Sequence, residues 1–125
     1  MSDWSSQALR TLASAEEVHL ATRRANGTLR SPRIIWVVTD GQRVFIRSTN
    51  GPGAAWYRAA TATRAGRLTA AGAAHDVTFT LVDDDDADLA AADAGYRAKY
   101  GRYASIVDHL EEPGPRSATL EVHPA

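Results

Sequence analysis

The run Ser48-Thr49-Asn50-Gly51-Pro52-Gly53 sets two hydroxyls, an amide and two glycines between Arg47 and the sequence Trp56-Tyr57-Arg58. It follows a strand pattern and opens into a helix pattern. Such a junction leaves backbone N–H groups unpaired beside a positive helix end, which suits an anion such as phosphate. Arg33 and Arg47 lie on either side of one hairpin, and each offers a planar fork of donors for a phosphate or carboxylate. Trp56, near the helix start, is placed to wall a flat ring. The same residues also have a plain structural use: Ser, Asn, Gly and Pro cap loops, and indole fills small cores.

A second group lies at helical spacing. Tyr96 and Tyr100 share a helix face, and Lys99 shares its edge, so two rings and the only lysine of the chain could converge on one ligand. Alternatively the tyrosines pack on the core while Lys99 faces water.

Other chemistries fail on spacing. His19, His75, His109 and His123 are scattered, and with no cysteine there is no metal-ligand pattern, thiolate nucleophile or disulfide. The acidic run Asp83 to Asp88 alternates like a calcium loop, but a loop begun at Asp84 would need a glycine where Leu89 stands and a glutamate at Gly95. A solvated helix start accounts for it. Ser48 lies in no Gly-x-Ser-x-Gly context. No metal is expected.

These residues need a scaffold, and 125 residues provide one domain over 1–125 with a real core. Hydrophobic residues at 44% and a net charge of -1 describe an ordinary globular chain with no electrostatic reason to bind nucleic acid. No segment approaches the ~20 apolar residues of a membrane helix, and Met1 to Arg10 carries no basic leader, so a cytoplasmic location is expected. The preference for arginine over lysine would suit anion binding, but a GC-rich coding bias yields the same count and most of these arginines belong to solvated surface.

Helix one runs from about Ser5 to Ala13, capped by Ser5 with Trp4 and Leu9 as a staple. From Glu17 the period becomes two, and Asn26-Gly27 marks a hairpin. After Pro32, Ile34 to Val38 is apolar on both faces, as in a strand covered on each side. Asp40-Gly41 turns into Arg43 to Ser48. Pro52 starts a helix ending near Gly66. Strands follow at Arg67 to Ala71 and Asp76 to Val82, then a helix with the stripe Leu89, Ala92, Tyr96, Tyr100. A short helix from Tyr103 to Leu110 stops at Pro113-Gly114-Pro115, and Ala118 to His123 closes the sheet. Hairpin-rich chains of this kind close into small barrels.

The run Arg33 to Val38, then Val44 to Ser48, Asn50-Gly51 and Trp56-Tyr57, resembles the flavin-binding split-barrel superfamily of pyridoxamine phosphate oxidases and deazaflavin-dependent nitroreductases. Over nearly the whole chain, including Tyr96 to Gly101, it is most similar to the family called domain of unknown function 2255. The resemblance implies an α+β, mainly β, six-stranded split barrel with an N-terminal helix, a helix after the second hairpin and a helical insertion before the last strand. It also implies a homodimer with FMN or a deazaflavin in a shared groove. The site residues it suggests are Arg33, Arg47, Ser48, Thr49, Asn50, Gly51 and Trp56, with Lys99 added from the helical group. Val38 stands where the oxidase strand carries a lysine, and Gly53-Ala54-Ala55 lacks that family's basic residues. Two functions follow: an oxidoreductase acting on a small molecule, or a noncatalytic binding or dimerisation module that keeps the barrel without the cofactor.

Overall fold

The computed structural model describes residues 3–82 and 86–125. Helix α1 (Ser6–Ser14) starts at Ser5, whose Oγ accepts from the Ala8 N–H at 3.0 Å. The Trp4 indole N–H donates to the Val122 carbonyl at 2.9 Å and ties this end of the chain to the last strand. The strands are β1 (Val18–Thr22), β2 (Arg33–Ile35), β3 (Val38–Asp40), β4 (Arg43–Arg47), β5 (Ala65–Ala70), β6 (Ala73–Leu81) and β7 (Thr119–Pro124). Between β4 and β5 lie a 3-10 turn, Gly51–Gly53, and helix α2 (Ala55–Thr63). Helices α3 (Asp86–Tyr100), α4 (Ala104–Leu110) and α5 (Pro113–Arg116) are inserted before β7.

All neighbouring strands are antiparallel, in the order β2-β1-β5-β6-β7-β4-β3. The two edges, β2 and β3, are consecutive in the chain and separated only by Trp36 and Val37. Seven flat strands would hold their edges roughly 29 Å apart at ~4.8 Å per step. Three extended residues span at most about 11 Å. The sheet therefore has to curl until its edges meet, and the fold is a split barrel closed by one bent strand.

That bend is the main departure from the sequence reading. Ile34 to Val38 reads as one strand covered on both faces, which gives six strands in all. The structure breaks it after Ile35 and counts seven, with Ile34 58% exposed and Val37 and Val38 buried. The Trp36 ring lies flat on Tyr100, with centroids 4.0 Å apart and planes 1° from parallel, and this stack holds the crossing. A smaller departure concerns Pro113-Gly114-Pro115. It reads as a stop, but Pro113 occupies the first turn of α5, where a missing N–H costs nothing.

Two cores result. The barrel interior takes Leu20, Val44, Ile46, Leu68, Val77 and Leu120. A second core between sheet and insertion takes Val38, Phe45, Tyr96, Tyr100, Val107 and Leu110. Strand β4 serves both, because its alternate residues face opposite sides. Gly95 sets α3 against β3: a Cβ there would lie 3.0 Å from that of Val38. The acidic run assigned to a helix start is described only from Asp86; Asp83, Asp84 and Asp85 lie outside the described residues. Among the described residues no helix is long and apolar enough to cross a membrane.

Candidate functional site

Where the barrel is split, β2 and Trp36 face the end of β4, the start of α2 and the insertion across a cavity of about 340 Å³. Arg33, Thr49 and Asn50 give it a polar end, and Glu17 adds a carboxylate. Ile35, Trp36 and Trp56 supply flat apolar walls, while Tyr96, Ile106 and Leu110 come from the insertion. Register explains part of this. Val18 pairs with Ile35, so the chain places Glu17 beside Trp36 at the same barrel end as the short strand carrying Arg33.

Six residues singled out in the sequence meet here: Arg33, Arg47, Thr49, Asn50, Trp56 and Tyr96. The two arginines differ sharply. Arg33 is exposed and has no ion-pair partner among the described residues. The Arg47 side chain is wholly buried. Its guanidinium donates to Asp93 Oδ1 at 2.6 Å, to Thr119 Oγ1 at 2.8 Å and to the Leu110 carbonyl at 3.0 Å. Its carbon also sits 5.5 Å from the centre of the Tyr96 ring. Asp93 accepts a second guanidinium from Arg116 at 3.1 Å. Two cations thus share one carboxylate, leaving one positive charge beneath the cavity, and Arg47 acts there as field and floor more than as a free fork.

The other sequence candidates lie close by or elsewhere. Ser48 is buried outside the lining, and its Oγ has no hydrogen-bond partner among the described residues. Gly51 is buried with φ +74, a conformation that favours glycine, and a Cβ would lie 3.5 Å from the Gly114 backbone. The loop is pinned further by His109, whose Nε2–H donates to the Thr49 carbonyl at 2.7 Å. Lys99 takes neither position considered for it. Its ammonium donates to the carbonyls of Leu12 and Val37 at 2.8 and 2.7 Å, outside the cavity lining. Burial draws its pKa down to about 8.

Tyr96 and Tyr100 pack in the second core. Burial pushes both phenols up, Tyr100 to about 12, so both stay protonated near neutrality. Tyr96 also lines the cavity, and its buried hydroxyl makes no well-formed hydrogen bond among the described residues, only an approach to the Arg47 backbone. The sequence reading missed Glu17, Asp93 and Arg116. Asp93 had a readable signal, since it lies four residues from Leu89 and three from Tyr96 and so adjoins the buried stripe. Among the described residues no group of three metal-ligating side chains gathers.

The chain belongs to the family described as "Uncharacterized protein conserved in bacteria (DUF2255)", whose profile matches residues 8–122. No curated protein matches it. Its fold is that of several solved structures. A conserved hypothetical protein, Rv2991 from Mycobacterium tuberculosis, superposes with a TM-score of 0.65 at 10% identity, over 99% of this chain and 81% of that one. A putative pyridoxamine 5'-phosphate oxidase from Listeria innocua gives 0.57 at 10% identity, over 95% and 90%. An F420 reductase gives 0.54 at 19% identity, over 93% and 91%. These likenesses establish the split-barrel fold.

Proposed function

We propose that this DUF2255 protein binds a phosphorylated flavin or deazaflavin in the split of its barrel and is an oxidoreductase acting on a small molecule. The observation that carries the reading is Arg33, exposed and without an ion-pair partner among the described residues, in the lining of one cavity with the polar Thr49 and Asn50 and the indoles of Trp36 and Trp56. An anionic arm and a planar ring fit such a site, and a volume of about 340 Å³ lies within the range of small-molecule sites. The excess positive charge of Arg47 and Arg116 over Asp93 favours an anion above it. The buried Tyr96 hydroxyl in the cavity lining is consistent with a polar group that a ligand or water would satisfy.

Arg33, Thr49 and Asn50 would hold the anionic group, with Gly51 giving the loop its turn. Trp36 and Trp56 would flank the ring and exclude water from it. When bound, the cofactor supplies hydride chemistry that the protein side chains lack. Glu17 would face a donor on ligand or substrate. Lys99 is assigned to holding α1 and the bent strand together. A second copy of the chain would cover the apolar rim: Ile34, Ile106 and Tyr103 are exposed, the first two line the cavity, and Tyr103 stacks toward Trp36.

One observation favours the noncatalytic module instead. Arg47 is engaged inside the fold and Val38 is buried in the second core, so a ligand would meet fewer free cations than in an oxidase with a lysine there. Absorbance of freshly purified protein, with mass spectrometry of released ligand and titration with FMN and with a deazaflavin coenzyme, separates the two. Binding of either coenzyme sustains the cofactor reading. Failure of both to bind rejects it in favour of the module.

A further inference from the structure

The cavity does not end at Trp56. A second cavity of about 220 Å³ adjoins it, and Arg33 and Trp56 belong to the linings of both. The rest of the second lining includes Thr22, Arg30, Ser31 and Ala55, the first residue of α2. The two compartments differ in charge. Glu17 lines the first, whereas among the described residues no acidic side chain lines the second, to which Arg30 and Arg33 both contribute. Neither arginine has an ion-pair partner among the described residues, while nearby Arg23 and Arg67 are both tied to Asp76 at 3.0 Å. The hydroxyls of Thr22 and Ser31 add neutral donors to the same wall.

We infer that the two cavities are compartments of one bipartite site, the second holding a further anionic group on the ligand's arm. The inference rests on the cofactor reading above and deepens it. A flavin mononucleotide ends at one phosphate, which Arg33, Thr49 and Asn50 take up. A deazaflavin coenzyme carries an arm that continues past its phosphodiester into carboxylates. Such an arm passes between Arg33 and Trp56 and sets its distal anion against Arg30 and Ser31. Arg33 contacts the arm from the first compartment and neutralises it in the second, and Arg30 acts only on the distal part.

Arg30 is exposed and lies outside the lining of the first cavity, so its replacement leaves the fold and the ring compartment in place. The test titrates wild type, Arg30→Ala and Arg30→Lys with three probes: FMN, the deazaflavin coenzyme with its full arm, and inorganic pyrophosphate. The full-arm coenzyme is expected to lose about tenfold or more in Arg30→Ala and to recover part of this in Arg30→Lys, with FMN affinity unchanged. Equal loss for FMN and the full-arm coenzyme, or no loss for either, overturns the second compartment and leaves the cofactor reading standing. If neither coenzyme binds, pyrophosphate decides, read by phosphorus NMR. Binding that Arg30→Ala weakens keeps the anion compartment and rejects the cofactor, and binding that is absent or indifferent to Arg30 rejects the compartment as well.

Discussion

The two walls of the cavity are built by opposite means. On one side β4 is buried along nearly its whole length, and its last residue, Arg47, is locked by four acceptors on three elements, α3, α4 and β7. On the other side β2 is three residues long and largely exposed, and its first residue, Arg33, has no ion-pair partner among the described residues. One residue type at two barrel strands thus serves structure in one place and stays available in the other. The difference comes from partners: α3 brings Asp93 over β4, and among the described residues no carboxylate forms an ion pair with Arg33 on β2.

Replacing the locked arginine should have the largest effect. Arg47→Met leaves Asp93 with one cation and strips the Thr119 and Leu110 bonds, and loss of a buried paired charge costs about 3 kcal/mol or more. Urea unfolding reads this, and a loss below about 1 kcal/mol would erase the contrast between the walls. Arg33→Ala should leave the unfolding midpoint unchanged and weaken coenzyme binding by roughly 1.5–3 kcal/mol, ten- to a hundredfold, in a fluorescence titration.

Lys99→Met should cost about 1–2 kcal/mol, since it leaves the Leu12 and Val37 carbonyls short of a donor. It also carries a pH signature. The folded pKa of about 8 lies below the ordinary value of 10.5, so between these the unfolded chain binds more protons and wild-type stability rises with pH across that window. The methionine variant should lack that rise, which unfolding curves at pH 7.5 to 10.5 would reveal. The smallest effect on stability belongs to Ile34→Ser, within about 0.5 kcal/mol for an exposed position. Light scattering across a dilution series should nonetheless show it weakening self-association, and a wild type that is monomeric at all micromolar concentrations would remove the second copy from the site.

What the sequence made readable was local. Two-residue periodicity at Val18 to Ala21, Val44 to Arg47 and Val77 to Leu81 marked strands, and Asn26-Gly27 and Asp40-Gly41 marked turns that the structure contains. The loop Ser48 to Pro52 announced a strand-to-helix junction through its turn residues. What stayed hidden depended on distant partners. Nothing near Arg47 reveals Asp93, 46 residues away, and nothing near Lys99 reveals Leu12, 87 residues away. The break at Trp36-Val37 was equally silent, because Ile34 to Val38 contains neither glycine nor proline. It is imposed by closure of the barrel and by the Tyr100 ring on the far helix.

The bent strand also governs how the molecule meets its own kind. A sheet with seven strands ordinarily exposes two rows of free N–H and C=O groups, each a template on which another chain can extend into a fibre. Here those rows are cut to three residues apiece and brought together at one seam, with the longest strand, β6, enclosed between β5 and β7. The chain thereby keeps its most aggregation-prone backbone out of reach, and the opening left by the seam is the place where the cavity lies.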